Sequence, residues 1–301
     1  MKKIISCLIL FIVLTSVAYA GSIGTSGAAF LKILPGARAQ AMGGAYTALA
    51  SGISGSHWNP AGLAYTGDKE FSAMYMKWIS DINYGFLGYA HPIGSNITVG
   101  ISGIYLTTKI DGRDVIGQKT EDIGFNNLAG VFNFSYLFGE EYSWGVNVKY
   151  IKEDIDSEKV KGYAYDFGNL YRFMDGKFRF GFSAQNLGGK IGLNEKDNLP
   201  LNFKAGIAVL PWEDKFIFAF DGNFPNDAKQ KYNIGLEYQP AELISLRFGY
   251  RLNYDQKGMD AVSFGLGVIH KSEYIIGDLD IAYLPYGDLG DVYKVSYTVQ
   301  F

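Results

Sequence analysis

The most restrictive feature of this sequence is an alternation of apolar and polar residues with a period of two, which runs from residue 69 to the end. It is clearest in the last segment, where Tyr293, Val295, Tyr297, Val299 and Phe301 alternate with polar residues. Successive side chains of a β-strand point to opposite faces, so this period predicts strands with one apolar and one polar face. The chain beyond residue 69 is therefore predicted to be almost entirely β-sheet.

The alternation divides this region into 14 segments. Most of them span roughly 9–13 residues, close to the 9–11 that a tilted strand needs to cross a bilayer. The predicted strands are 69–79, 82–92, 96–107, 126–138, 142–151, 162–173, 177–187, 200–211, 214–223, 231–239, 243–253, 260–270, 273–284 and 291–301.

The links between these strands differ in length in a regular way. Short turns follow the even-numbered strands, whereas long charged links are predicted at 108–125, 152–161 and 188–199. The first hairpin, joined by Ser80 and Asp81, is the exception. Short turns at one end and longer loops at the other are typical of outer-membrane barrels, and an even strand number places both termini on the periplasmic side.

The composition favours a membrane barrel over a soluble fold. Charged residues are 19% and aromatic residues 16%, whereas soluble domains carry about 25% charged residues. The mean hydropathy of +0.02 is too low for a helical membrane protein. Unpaired backbone groups are costly in hydrocarbon, so the sheet must close. We predict an all-β membrane protein, a closed, antiparallel, monomeric 14-stranded barrel. The main soluble alternative, a β-propeller or a large sandwich, is disfavoured, since no blade repeat of about 40–50 residues is visible.

Residues 1–20 have the features of a secretory signal peptide. Lys2 and Lys3 precede an apolar stretch, and Ala18 to Ala20 form a small-residue cleavage site, so we predict cleavage after Ala20. The apolar stretch is shorter than the roughly 18 residues of a membrane anchor. Cys7 is the only cysteine of the sequence and lies within this leader, so the mature chain is expected to contain no thiol.

The exported chain is expected in the outer membrane of a diderm bacterium. Its expected partners are the outer-membrane lipid and the barrel-assembly machinery, with Tyr297 and Phe301 as the assembly signal, because a terminal Phe after alternating aromatic residues resembles the C-terminal signal of such barrels. No oligomer is required by this arrangement.

Residues 21–68 show no alternation and are rich in glycine and alanine. Residues 37–50 are predicted to form a short helix, interrupted by Gly43 and Gly44. A 14-stranded barrel has a wide lumen, so this segment is predicted to lie inside it as a hatch. The predicted organisation is a signal peptide at 1–20, a hatch or plug at 21–68 and a transmembrane barrel at 69–301.

Four segments of the hatch resemble a known signature. They are Gly24 to Leu31, Gly36-Ala37-Arg38, Met42 to Tyr46 and Trp58-Asn59-Pro60-Ala61-Gly62-Leu63. They resemble the PorV/PorQ family, part of the wider FadL-like group of long-chain fatty-acid transporters. The resemblance covers the hatch alone, and over the barrel it is only architectural. It implies 14 strands around an N-terminal hatch.

The resemblance assigns a hatch motif to this chain. The motif residues are Gly43, Gly44, Asn59, Pro60, Ala61 and Gly62. Asn59 can cap backbone groups and Pro60 fixes φ. For these residues, maintenance of the hatch fold is favoured over direct contact with a ligand.

Basic residues on the predicted inner face are the candidate ligand contacts in the lumen. They are Lys149, Arg179, Lys204, Arg247 and Arg251. Such cations attract an anionic head group such as a carboxylate. The alternative, favoured for any single one of them, is pairing with Asp166, Asp221, Glu237 or the hatch.

The sequence contains no pattern that predicts catalysis. It lacks a phosphate-binding loop, a nucleophile elbow and a zinc-protease helix, and its three histidines are far apart. Acidic pairs such as Asp278 and Asp280 are ordinary in barrel lumens. We therefore predict no enzyme activity, no metal, no cofactor and no nucleic-acid partner.

Two functions remain open at this point. A PorV-like role would be the handling of secreted protein cargo for a type IX secretion system. A FadL-like role would be a hatch-gated conduit for long-chain fatty acids or another hydrophobic ligand. The compact loops disfavour the first role without excluding it. Neither the ligand nor the cargo can be named from the residues.

Overall fold

The computed structural model describes residues 24–113, 116–156, 158–193, 195–212, 215–254 and 258–301. The signal peptide predicted for residues 1–20 and its cleavage site lie outside the described residues. Within the described part, no helix has the length and apolar character needed to cross a membrane.

Fourteen antiparallel strands are described, and they form one closed barrel in sequential order, with β1 paired to both β2 and β14. The predicted closed, antiparallel barrel of 14 strands is confirmed. The strands are β1 Glu70–Lys77, β2 Asn83–Ile93, β3 Ile97–Ile110, β4 Ile123–Phe138, β5 Tyr142–Ile155, β6 Glu158–Phe173, β7 Phe178–Gly188, β8 Asn202–Val209, β9 Phe216–Pro225, β10 Lys231–Ala241, β11 Ile244–Leu252, β12 Val262–Lys271, β13 Ile276–Pro285 and β14 Asp291–Gln300.

The strands place apolar residues outside and polar residues inside. On β14, Tyr293 and Tyr297 are exposed on the outer face, whereas Lys294 and Ser296 are buried on the inner face. Lys77, the last residue of β1, is exposed and forms an ion pair of 2.8 Å with Asp81. The charge therefore lies at the rim of the barrel, where a lysine can reach water.

Strands β3 to β6 are longer than their sequence pattern predicted. The predicted long link 152–161 was wrong, because β5 and β6 stay paired as far as Ile155 and Glu158. The link 108–125 is similarly shortened at both ends. These added residues are mostly polar or charged, and a hairpin outside the membrane needs no apolar outer face. We call this end of the barrel, which carries the links after odd-numbered strands, the loop side, and the other end the turn side.

The hatch contains two short helices, α1 Ala37–Ala41 and α2 Gly52–Gly55, and 3₁₀ turns at Ala29–Lys32 and Pro60–Tyr65. The single helix predicted over residues 37–50 was wrong in extent, because α1 ends before Gly43 and Gly44. These glycines have φ of 67° and 86°, values that end a helix at little cost only in glycine.

The hatch crosses the lumen from the loop side to the turn side. Near its start, the Gly24 N–H donates to the Asp227 carbonyl and the Gly27 N–H to the Asn198 carbonyl, both in loop-side links. Its other end leads into β1 at Glu70, whose carboxylate accepts from the Ile53 N–H at 2.7 Å. The described hatch therefore fills the barrel along its length.

Inward-facing glycines of the barrel allow this close fit. A Cβ at Gly249 would lie 2.0 Å from the Gly43 nitrogen, and one at Gly181 would lie 2.4 Å from the Thr47 carbonyl oxygen. A side chain at either position would displace the hatch backbone. The glycines of the strands are thus part of the binding surface for the hatch.

Candidate functional site

Asn59 is the centre of the hatch motif. Its side-chain oxygen accepts from the Ala61 N–H at 3.2 Å and so caps the turn Pro60–Tyr65. Its amide donates to the carbonyls of Thr47 in the hatch, at 3.0 Å, and Asn169 in β6, at 2.9 Å. Asn59 therefore joins two parts of the hatch to the barrel wall, which supports the predicted structural role.

The other motif residues also serve close contacts. A Cβ at Gly62 would lie 2.5 Å from the Ala50 carbonyl oxygen, and Pro60 occupies the first position of its turn. The Gly43 carbonyl accepts from the side-chain amide of Asn233. Gly43 and Gly44 also line the lumen cavity described below. These two motif residues therefore lie where a ligand in the cavity would contact the hatch.

Buried side chains of the barrel hold the middle of the hatch. The Asp221 carboxylate accepts from the Tyr46 N–H at 3.0 Å, the Thr47 N–H at 2.8 Å and the Thr47 hydroxyl at 2.6 Å. Gln185 donates to the carbonyls of His57 and Trp58 at 2.8 and 3.0 Å. These bonds satisfy hatch backbone groups that water does not reach.

Two of the five predicted lumen cations are fully engaged in ion pairs. Lys149 lies 2.7 Å from Asp166, and Arg247 lies 2.6 Å from Glu237 and also contacts Asp280. For Lys149 and Arg247 the geometry therefore shows the alternative given above, which is pairing with acidic residues of the barrel and not contact with a ligand. Arg179 lies near the turn side of β7, where its Nε donates to the Gly176 carbonyl at 3.0 Å.

The remaining two predicted cations, Lys204 and Arg251, line a cavity of about 270 Å³. The cavity lies between the hatch and the loop side of the barrel. Its floor includes Gly43, Gly44 and Trp58, and its roof is the hatch segment 31–34. The Lys204 ammonium lies 4.2 Å from the centre of the Trp58 ring. This cavity is the candidate site for a small molecule in the described structure.

The cavity wall carries an excess of positive charge. Its acidic side chain among the described lining residues is Asp227, and its basic ones are Lys32, Lys204, Lys231, Arg251 and Lys294. Lys294 is one of the polar residues that alternate with the apolar ones in the last strand, but it is not among the five cations predicted as ligand contacts. Closure of the barrel brings β14 next to β1 and the roof. This closure is the feature from which Lys294 could have been predicted as a cavity residue.

The roof is fastened at Asp227, in the link between β9 and β10. Its carboxylate accepts from the Ser26 hydroxyl and the Lys32 ammonium. Burial raises the pKa of Asp227, but the hydrogen bonds from Lys32 and Ser26 and the charge of Lys32 outweigh it, so the pKa lies below its usual value. The Ile33 carbonyl also accepts from the Tyr84 hydroxyl at 2.7 Å. The roof is therefore held on two sides of the barrel.

No group of three His, Cys, Asp or Glu side chains that could bind a metal is found in the part of the chain that the structure describes. His57 is buried in the hatch, with its Nε2 at 2.9 Å from the Ser102 hydroxyl. His91 and His270 lie near the turn-side ends of β2 and β12. The three rings are thus separated in space as well as in sequence.

Comparison with known structures identifies the fold. The toluene transporter TodX of Pseudomonas putida superposes with a TM-score of 0.62 at 11% identity, covering 94% of this chain and 98% of that one. The fold is that of the FadL-like outer-membrane barrels. The CymD monoaromatic hydrocarbon channel gives a TM-score of 0.63 at 15% identity, over 89% of this chain and 98% of that one. A FadL homologue of Pseudomonas aeruginosa gives 0.56 at 11%, over 94% and 99%.

Sequence comparison is less specific. The model of UPF0164, described as an uncharacterised protein family, matches residues 21–163, which hold the hatch, β1 to β5 and the beginning of β6. A search of curated protein sequences gives no significant match. The structural neighbours named above are transporters and channels rather than enzymes. The PorV/PorQ resemblance of the hatch stays a prediction.

Proposed function

We propose that this protein is a hatch-gated conduit that carries small hydrophobic or amphipathic compounds across the outer membrane. The observation that carries the proposal is the cavity between the hatch and the loop side, about 270 Å³ in volume and lined by Trp58, Trp78, Tyr254 and Tyr286 as well as by cations. Ligand sites of this kind are concave, largely apolar and provided with a few polar groups. Barrels of the same fold include a toluene transporter and a monoaromatic hydrocarbon channel.

In this proposal the protein lies in the outer membrane as a monomer. Membrane lipid surrounds its apolar outer face, and the barrel-assembly machinery inserts it after export. The exposed aromatic and aliphatic residues on alternate positions of every strand support contact with lipid. Passage requires two separate movements: the roof must leave the loop-side mouth, and the floor around Gly43 and Gly44 must shift.

A disulfide tests the movement of the roof. Ser26 and Asp227 are in direct side-chain contact, and the only native cysteine lies in the predicted leader. The double variant S26C/D227C is expected to block uptake when oxidised and to recover it on reduction. The single variant S26C is the control, because it cannot form the bond. Full uptake with the disulfide closed would contradict the proposal.

A role in protein secretion, as the PorV/PorQ resemblance implies, is the second candidate. The longer hairpins β3–β4 and β5–β6 favour it, since they provide a loop-side surface outside the membrane. The cavity is far too small for a folded cargo, so any such cargo would contact the hairpins. Gene deletion separates the two functions: lost uptake with an unchanged set of secreted proteins supports the conduit, and the reverse result overturns it.

A further inference from the structure

Two buried cations face the same part of the cavity without an acidic partner. Lys294 of β14 is 3% exposed and Arg251 of β11 is 7% exposed. Both line the cavity, and the Arg251 guanidinium reaches the Pro285 carbonyl at the end of β13, the strand that pairs with β14. Neither forms an ion pair with any carboxylate in the described residues. In contrast, Arg247 has two acidic partners, although it lies on the same face of β11, four residues before Arg251.

The existing hydrogen bonds of these cations leave donors available for a ligand. The Lys294 ammonium has one long contact, 3.5 Å to the Leu34 carbonyl. Arg251 donates to backbone carbonyls, the best of them Asp260 at 2.8 Å and Pro285 at 3.2 Å. Carbonyl oxygens orient these groups but do not neutralise them. Buried charges in proteins are ordinarily paired, so two basic side chains that line one cavity without an acidic partner are suited to an anionic ligand.

Aromatic rings lie beside this pair. The Tyr286 ring centre is 5.2 Å from the Arg251 guanidinium carbon, and the Trp78 ring is 6.2 Å from Tyr286 at an angle of 60°. The Trp78 indole N–H is buried and has no hydrogen-bond partner among the described residues. Met76, fully buried on the inner face of β1, adds an apolar surface. The site therefore offers charge, one neutral donor and flat apolar walls.

We propose that the cavity binds a compact aromatic carboxylate, with its acid group between Lys294 and Arg251 and its ring against Trp78 and Tyr286. Two cations and an indole N–H match the several lone pairs of a carboxylate, and rings prefer offset or edge contacts with other rings. The volume of about 270 Å³ lies below the usual range for ligand pockets, about 300–1,000 Å³, and disfavours a long acyl chain. This inference rests on the proposed conduit function, because it names the class of compound that the conduit would carry.

Calorimetric titration of the full-length protein in detergent tests the ligand class. Benzoate, the neutral ring compound benzyl alcohol and the long-chain acid palmitate are the three probes. We expect benzoate to bind and the two others to bind at least about tenfold more weakly, the loss that follows when a charge-assisted hydrogen bond or a fitting shape is missing. Equal or tighter binding of benzyl alcohol or palmitate would overturn the proposal.

Substitution of Lys294 tests the position of the acid group. K294M keeps the aliphatic stem and removes the charge, so benzoate affinity should fall by about ten- to a hundredfold. K294R should retain most of the affinity. K271M, at an exposed lysine on the turn side, should change nothing. Unchanged benzoate binding by K294M contradicts the assignment.

The stability of K294M distinguishes a lysine that binds an anion from a lysine that only stabilises the fold. Because Lys294 is buried without an acidic partner, K294M should raise the denaturation midpoint of the ligand-free protein while it weakens benzoate binding. A structural role predicts the opposite, a lower midpoint. If the midpoint of K294M falls and benzoate still binds, Lys294 is not part of an anion site.

Liposome uptake separates this inference from the proposed function. Benzoate that binds but does not pass the reconstituted protein leaves the site assignment intact and overturns the conduit. Passage of neutral aromatic compounds without benzoate binding supports the conduit and overturns the carboxylate site.

Discussion

Arg38 of the hatch and Glu237 of β10 form a two-point ion pair, with both nitrogen–oxygen distances at 2.8 Å. Glu237 is completely buried and is shared with Arg247, which also contacts Asp280. One hatch side chain thus completes a charge network that otherwise belongs to the barrel wall. A network of this kind is costly to leave half complete, so it fixes the hatch next to β10 and β11.

Removal of Arg38 should loosen the hatch without unfolding the barrel. In R38M, Glu237 keeps Arg247 as a partner, so we expect a stability loss of about 1–3 kcal/mol, the value of a hydrogen bond to a charged group. E237A should cost more, about 3–5 kcal/mol, because it removes the acidic partner of Arg38 and one of the two acidic partners of the buried Arg247. Denaturant unfolding measures both losses.

Planar-bilayer recordings should show larger or more frequent openings for R38M than for the wild type. Identical recordings would show that Arg38 does not hold the hatch closed.

Asn59 should be sensitive to the kind of substitution as well as to its size. N59A loses the cap of Pro60–Tyr65 and the donors to Thr47 and Asn169, with an expected cost of about 1–3 kcal/mol. N59D keeps the acceptor but places a buried carboxylate against two carbonyl oxygens, so it should be the worse variant. Limited proteolysis of the hatch in the folded protein would compare the two. Greater protection of N59D than of N59A would contradict the hydrogen-bond directions given above.

The fit of barrel glycines to the hatch predicts a position-dependent effect of alanine. G249A places a Cβ against Gly43 and the Ser263 hydroxyl, at 2.0 and 2.4 Å, so overpacking should cost about 1–3 kcal/mol. G130A is the matched control, since no atom lies within 4 Å of a Cβ on that glycine of β4. The thermal denaturation midpoint should fall for G249A and stay nearly unchanged for G130A. Similar midpoints for both variants would mean that the hatch does not press against β11.

The sequence predicted the barrel well because the bilayer imposes a simple rule on each strand. Every spanning residue of β14 faces lipid or lumen, so Tyr297 and Lys294 can be assigned to opposite faces by position alone. The same rule fails above the membrane, where the outer face of a strand no longer contacts lipid and can carry polar residues such as Lys152 and Asp154 of β5. That is why the extensions of β3 to β6 could not be seen in the alternation.

The candidate site could be predicted only in part, since it is assembled from distant segments. Lys204 and Arg251 were identified as inward cations from the pattern of their own strands. Whether such a cation is paired depends on neighbours across the barrel, and no local pattern reports this. Trp78 and Lys294 are separated by most of the chain and line the same cavity because β1 closes on β14. A sequence can show that the barrel must close. It does not show the register in which β1 and β14 then pair.

Acid should release the roof of the cavity. The pKa of Asp227 is lower in the folded protein than its usual value of about 3.9. The stabilising contribution of its contacts with Lys32 and Ser26 is therefore fully present above about pH 4 and is lost as the pH falls through the lowered pKa of the folded state. The roof should stay fastened at neutral pH and loosen in the acidic range below about pH 4.

Bilayer conductance recorded from pH 7 to pH 3 on the loop side checks this expectation. The wild type should show rising conductance only in the acidic part of the range. D227N removes the titrating carboxylate and with it the ion pair with Lys32, so it should conduct more at pH 7 and lose most of the pH dependence. E242Q is a matched control, because Glu242 is an exposed turn-side carboxylate paired with Lys271 and far from the roof. An acid response that is equal in D227N and the wild type would show that another group controls the mouth of the cavity.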